Sequence, residues 1–589
     1  MFFAVFFFYI IWYVYDPRIL YLNLQPFFAF DTSFYEYNFQ FKQGYLSLIS
    51  QFILQFLYFP VIGSLILVSL FLMLAFIYRR IFQKSISVGF IGIEFFAPLL
   101  ILWPLKTYTN GLELFVSLFL AGIMFLSSNY LKRNFYLESF WQLFSTFLML
   151  RLFGVAPAIV LTILYIPKDL VSLKHLPTVA VYLGNLLFFF ILSYFLYGLR
   201  LFEIQLGQLS FTDLTLSFPG FWIICIYVFV GLLPGLFNTS PFKKSVLIKK
   251  VNFQFAQVFP LLIILLCVSC FNTLFINTEK YKSQIDLFIS DREWLSALQM
   301  KDKIAPEDRI ARFQLNRALY ASEQLNENLF TVPQEWGEYG LLLSKEFSMA
   351  TMPYSSDFYY DLGFIKASKY CMLEYQTAFP YAPRSLERLA NTSLILGEFQ
   401  TSSKYYTILS KSMIYARHYK PLLEKIRKQP YFLMTESTSA QVSIIKEDQI
   451  INFKEPDVDL LNILKVNRNN KMVFEYLMTY YILRNDLESF NKFMPLAMKS
   501  GYYSKMPKTW EEALILYRAE AGLRLDSGDI KLNASNVKRY IQFRAIFDSN
   551  SSNALQLKEA LKPGFKDTFW YYRFFINPNV SGKIITKKL

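Results

Sequence analysis

Apolar runs long enough to be helices follow one another through the first 278 residues, parted by short basic breaks, and this pattern constrains the fold most. A helix needs about 20 apolar residues to cross the hydrocarbon layer. Inside lipid, every backbone amide and carbonyl must find its partner within the protein, which leaves helices or closed barrels. The runs are continuously apolar, without the alternation of barrel strands, so helices are predicted. Candidate spans are 1–15, 55–78, 87–104, 112–129, 135–150, 152–167, 176–199, 219–237 and 256–276. The first lacks a basic leader and a small-residue cleavage site, so it is expected to stay as an anchor.

Charge divides the chain. Residues 1–278 hold nine acidic and sixteen basic residues, and the remaining 311 hold 35 and 43. The stretch "FYLESFWQLFSTFLMLRLFGVAPAIVLTILYIP" (135–167) reads as one kinked helix or as two turning at "RLFG". Two helices make nine spans and put Arg79, Arg80, Lys84, Lys132, Arg133, Lys168, Lys174, Lys243, Lys244, Lys249 and Lys250 on the cytoplasmic side, as the positive-inside bias requires. The amino terminus is then cytoplasmic, and everything after residue 278 is periplasmic.

The net charge of +15 is spread over both parts without a long basic run, so nucleic acid is not expected as a partner. Cys225, Cys267 and Cys270 lie in apolar runs and Cys371 stands apart. The only two histidines, His175 and His418, fall in different parts, so neither a zinc site nor a histidine triad is expected. No Gly-rich phosphate loop, nucleophile elbow or metal cluster is present, and no cofactor is expected.

With this topology, "YDPRILYLNLQPFFAFDTSFYEYNFQF" (15–41) faces outward, within a first loop of residues 16–54. Lys106, Arg151, Arg200 and Asp213 lie at outer helix ends. "PRILYLNLQPFFAF" and "KQGYLSLISQFILQF" read as helices lying in the membrane interface. Two readings stay open for each charged residue. Asp16, before Pro17 and Arg18, is a helix stop with a boundary ion pair or a catalytic carboxylate. Asp31 is a helix N-cap or a catalytic carboxylate, with Glu36 third. Arg151 marks the turn of a hairpin or, with Arg200 and Lys106, binds substrate phosphate. Glu94 is the one carboxylate deep inside a span, paired or functional by default.

After residue 278 the pattern becomes amphipathic helices of 12–20 residues, with no strand alternation. In "RSLERLANTSLILGEFQTSSKYYTILSKSMIYARHYKP" (384–421), Leu386, Ala390, Gly397, Phe399, Ser402 and Tyr406 fall where a tetratricopeptide repeat needs apolar or small residues. Residues 357–383 read as the repeat before it, and 473–494 and 509–522 as degenerate later copies. The expectation is an all-α protein: a polytopic membrane domain, 1–278, followed by an extracytoplasmic α-solenoid, 279–589. Its concave face would dock a protein or glycan partner. The aromatic stripes at Tyr359, Tyr360, Tyr405 and Tyr406 are expected in the core.

The chain resembles multi-pass inner-membrane proteins of Bacteroidota that carry tetratricopeptide-like outer domains. The matching pieces are "DPRILY", "GYLSLISQFILQFLY", "RLFGVAPAIVLTILYIPKDL", "REWLSALQMKDKI", "TWEEALILY" and the stretch 358–409. This resemblance implies architecture and an inner-membrane location, and no activity. In topology alone, the inside amino terminus and outward first loop are similar to membrane glycosyltransferases of the C type. That likeness implies a lipid-linked (polyprenyl-phosphate) sugar donor, with the carboxylate as base or acceptor guide and the basic groups neutralising the departing phosphate. The competing expectations are a non-catalytic membrane scaffold that recruits envelope proteins and, third, a transporter or flippase, which Glu94 and the short hairpin would serve.

Overall fold

A computed structural model describes residues 2–40, 44–82, 112–131, 135–166, 176–197, 278–343, 348–429, 455–499, 503, 505–525, 530–549 and 554–577. Their regular structure is helical throughout; among them the sole β-type pairing is an isolated antiparallel bridge between Ala29 and Ser412. Two helices, Pro60–Ile81 and Pro177–Leu196, are long and apolar enough to cross a membrane, so the nine expected spans are not reached among the described residues. The expected spans 87–104, 219–237 and 256–276 lie outside those residues.

The first of two units comprises residues 1–280 together with 411–414. Its helices are α1 (Phe2–Tyr9), α2 (Pro17–Leu24), α3 (Thr32–Phe39), α4 (Gly44–Gln55), α5 (Pro60–Phe82), α6 (Leu112–Leu131), α7 (Phe135–Leu148), α8 (Val155–Leu164) and α9 (Leu176–Tyr197). α5 packs on α1, α2 and α6. The close α5–α6 approach depends on Gly122, where a Cβ would come 2.5 Å from Ile77. The 135–167 stretch is divided at Gly154: a π-helical turn, Met149–Phe153, ends α7, and α8 begins after Gly154, whose φ of 95° suits glycine.

Three helices of this unit carry an exposed apolar stripe at helical spacing: Val61, Leu65, Leu72 and Phe76 on α5; Tyr136, Phe140, Phe144 and Phe147 on α7; Leu183, Leu187, Ile191 and Tyr194 on α9. Their opposite faces are buried, as with Val179, Tyr182, Asn185, Phe189 and Ser193 on α9. Water would penalise such continuous apolar exposure.

The second unit comprises residues 281–410 and 415–589. Its main helices are α10 (Thr278–Ser290, which begins at the unit boundary), α11 (Arg309–Ala321), α12 (Met352–Asp361), α13 (Ile365–Ala378), α14 (Pro383–Ile395), α15 (Phe399–Ser410), α16 (Ala416–Lys428), α17 (Pro456–Val466), α18 (Lys471–Arg484), α19 (Leu487–Lys499), α20 (Lys508–Glu520), α21 (Ala534–Ser549), α22 (Ala554–Phe565) and α23 (Phe569–Phe575). Local signals set their ends. Asp308 accepts from the Ala311 amide at 3.0 Å, Asn470 from Val473 at 3.1 Å and Thr568 from Tyr571 at 3.2 Å, each satisfying an orphan donor of a first turn.

Helices α12 to α16 pack each on the next. The α12–α13 and α14–α15 hairpins superpose in sequence with a 34-residue offset. Gly363 and Gly397 take φ of 81° and 77°. The Phe364 and Glu398 amides each close a six-residue loop at 2.8 Å, onto the Tyr359 and Ser393 carbonyls. The Ser356 hydroxyl donates to the Ser368 carbonyl at 2.9 Å, and one period later the Ser402 hydroxyl donates to the Ala390 carbonyl at 2.9 Å. All four of these crossing residues are fully buried. The same backbone closure recurs after Arg292, Glu323, Asn485 and Gly522, all at positive φ. A large aromatic core, with Trp510, Trp570, Tyr476 and Tyr572 at its centre, unites α11, α18, α20, α21 and α23.

Candidate functional site

Asp16 ends the first helical segment and starts the next. Its amide donates to the Ile11 carbonyl at 3.1 Å, and its φ of 53° turns the chain. Its carboxylate accepts from the Arg18 amide at 3.1 Å, capping α2, and from the Arg18 guanidinium at 2.8 and 3.2 Å. Pro17 occupies the first helical position, where a missing N–H costs nothing.

Asp31 stands at the N-cap position of α3, but its carboxylate takes other donors than the α3 amides expected from the sequence. The Ser33 hydroxyl donates at 2.5 Å and the Lys411 ammonium at 2.9 Å. The Ser33 bond first and then Lys411 hold the carboxyl below its ordinary range, against the opposing pull of burial. Backbone pairing accompanies the ion pair: Ala29 bridges to Ser412, and the Met413 amide donates to the Phe28 carbonyl at 3.4 Å.

Glu36 is exposed on α3, and Arg151 is exposed in the π-helical turn. The loop that carries the three acids reaches that turn through α4, which packs on it, with the Tyr45 and Phe153 rings 6.5 Å apart. Lys106, Arg200 and Glu94 lie outside the described residues.

Polar groups that the sequence reading passed over are prominent inside the first unit. Asn185 is fully buried on the packed face of α9, and neither side-chain atom has a hydrogen-bond partner. On α7, which packs against α9, the Gln142 side-chain oxygen Oε1 and the Thr146 hydroxyl are likewise buried without partners.

The second unit holds an ionic cluster built on α10, α11, α12 and α14. Asp357 accepts from Arg384 and, at 2.6 Å, from Arg388; Asp286 accepts from Arg384 at 3.0 Å; Arg317 donates to Asp361 at 2.5 Å and to Gln314 at 2.8 Å. Arg384 lies over the Tyr354 ring at 4.8 Å and Arg388 over Tyr360 at 3.9 Å. Burial alone would raise the Asp357 carboxyl, but Arg384, Arg388 and Arg317 outweigh it and hold the group well below its usual range. Three carboxylates meet three guanidinium groups, so the cluster is balanced and its bonding capacity is turned inward. A single hydrophobic residue on each helix would have been easier to foresee: these charges are legible only once the four helices are packed.

Near the carboxyl terminus, Glu512 of α20 is buried at 1% exposure. One carboxylate oxygen accepts from the Phe569 amide at 2.8 Å, and Lys508 stays 3.9 Å from the other, engaged with Asp567 at 2.7 Å. Burial pushes the Glu512 carboxyl up to about 7, with the Phe569 amide and Lys508 opposing. Among the described residues no group of three or more His, Cys, Asp or Glu side chains is placed to hold a metal ion.

No curated protein and no solved structure matches the chain. The family described as "Family of unknown function (DUF6057)" matches residues 1–576, and the protein belongs to that family.

Proposed function

We propose that the protein is a membrane-anchored binding platform: the first unit inserts in the inner membrane, and the second is a tetratricopeptide-like array that recruits a protein or glycan of the cell envelope. The observation that carries the reading is the 34-residue recurrence of turn, glycine and small-residue crossing in α12–α15, the period and geometry of a tetratricopeptide repeat. Anchoring draws support from the exposed apolar stripes on α5, α7 and α9, which suit hydrocarbon. Stacked hairpins of this kind present the first helix of each pair on one surface, where partners of solenoids dock. A photo-crosslinking residue at exposed Glu387 on α14 is expected to trap a discrete adduct in intact cells, and one at exposed Tyr370 on α13 is not. Equal labelling from both, or none from Glu387, sinks the platform.

A second reading, transfer of sugar from a lipid-linked donor at the outer membrane face, has one observation in its favour: the acid-bearing first loop packs on the turn that carries Arg151. Here an ionised carboxylate would orient an acceptor hydroxyl and exposed Arg151 would meet the donor phosphate. Asp16→Asn and Asp31→Asn, made singly in a host that needs the protein, decide it. Full function and an unchanged envelope glycan profile in both variants would end that reading.

A further inference from the structure

The positive charge of the second part of the chain is concentrated in one place. Residues 400–429 carry seven basic residues against the single acid Glu424, whereas residues 279–589 as a whole carry 43 against 35. Most of these cations are on α16, whose apolar face is spent internally: Tyr419, Leu423 and Ile426 are buried, with the Tyr419 ring centred 5.6 Å from that of Tyr406 on α15. Arg417, Lys420, Lys425, Arg427 and Lys428 are all exposed, and none forms an ion pair with a described carboxylate. Arg417, Lys420, Arg427 and Lys428 recur at helical spacing, and Glu424 alone interrupts them.

Structural economy does not account for this face. A solvated capping helix needs polarity of either sign, and mixed charges would give it solubility with less self-repulsion. Elsewhere in the unit several cations are matched: Arg384, Arg388, Arg317, Lys508, Arg539 and Arg573 each meet a carboxylate. The chain also enters α16 directly from residues 411–414, which belong to the first unit. Only Tyr415 separates that segment from the helix.

We propose that the basic face of α16 binds anionic lipid headgroups of the membrane in which the first unit is anchored. The proposal rests on the anchoring part of the platform reading and is independent of the partner that the array recruits. Its chemistry is electrostatic and peripheral. The face offers guanidinium and ammonium groups to phosphate oxygens, and the helix carries no exposed phenylalanine, tyrosine or tryptophan to insert between acyl chains. An acidic protein would fit the same charge; contiguity with a membrane-anchored unit favours the lipid surface.

The test uses the full chain reconstituted in nanodiscs, either of phosphatidylcholine alone or with a third phosphatidylglycerol. Elution of the chain with discs of either kind reports anchoring by itself. A chain that enters neither overturns the anchoring reading and this proposal with it. Acetylation rates at Lys420, Lys425 and Lys428 are then read by mass spectrometry, normalised to a free lysine peptide. The expected result is about fivefold slower labelling in the anionic discs, the factor for about 1 kcal/mol per basic residue near such a surface. The difference should vanish at 1 M salt, where the screening length falls to about 3 Å.

A variant with Arg417→Gln, Lys420→Gln, Arg427→Gln and Lys428→Gln keeps helix formers on the exposed face. In it, Lys425 should be labelled alike in both discs, with an unchanged melting temperature. Equal rates in the two discs for the natural sequence overturn lipid binding. So does slowing that survives 1 M salt, or slowing that requires an added acidic protein.

Discussion

Ser402 and Ala390 meet across the α14–α15 crossing with the serine hydroxyl 2.9 Å from the alanine carbonyl, one period after Ser356 and Ser368 meet at the same distance. Neither Ala390 nor Ser402 has measurable exposure, so the crossing has no room for a longer side chain. Ala390→Leu should therefore force the helices apart and cost about 2 kcal/mol or more by overpacking. Ala390→Gly, which leaves the crossing clear, should cost about 1 kcal/mol through helix propensity alone. Thermal melts of the two variants check the order, and a leucine variant as stable as the glycine one contradicts the close crossing.

Asp357 neutralises two arginines inside the four-helix cluster. Asp357→Asn leaves Arg384 and Arg388 short of a counter-charge in a largely dry site, at a cost of about 3 kcal/mol. Because the folded carboxyl is held below its unfolded value, its contribution is present above the unfolded value near 3.8 and is lost as pH falls through the folded value. Denaturant unfolding at neutral pH is the measurement. A variant with unchanged midpoint would show that the cluster is replaceable.

Glu512 has the opposite sign. Its carboxyl is raised from 4.5 to about 7, so between those values the folded state holds a proton that the unfolded state has released. Stability from this group thus increases as pH falls from about 7 toward 4.5, by up to about 3 kcal/mol, and is lost as pH rises through 7. Glu512→Gln mimics the protonated acid and should flatten that dependence, with its largest stabilisation near pH 8. Unfolding midpoints of both proteins at pH 5.5 and 8 decide it, and parallel shifts would rule Glu512 out as the source.

Asn185 brings two unpaired amide atoms into a packed apolar face. A buried polar group without a partner costs about 1–3 kcal/mol. Asn185→Leu is expected to raise the melting temperature in detergent or leave it unchanged. A clear drop would mean that the amide has a partner in the folded protein.

Much of the second unit's layout could be read from the sequence because its signals are local. Gly397, Ala390 and Ser402 are the small residues that a turn and a crossing demand, and each does what its position implies. Asp16 reads as a helix stop with an ion pair to Arg18, and that is its geometry. What escaped was non-local. Asp31 looks like an ordinary N-cap, yet its second partner is Lys411, 380 residues away, which no spacing rule could supply. The aspartate and arginine cluster escaped for the same reason, since its six charged residues come from four helices and share no motif.

Residues 411–414 complete the first unit, although 130 residues of the second are made before them. The first unit is therefore unfinished when the ribosome leaves it: Ala29 waits for its bridge and Asp31 for its lysine until residue 414 has emerged. A chain cut at residue 280 would keep every helix of the first unit and still lack part of that unit's own surface. The boundary between the two units is thus a fold in space with no single place in the gene at which to cut.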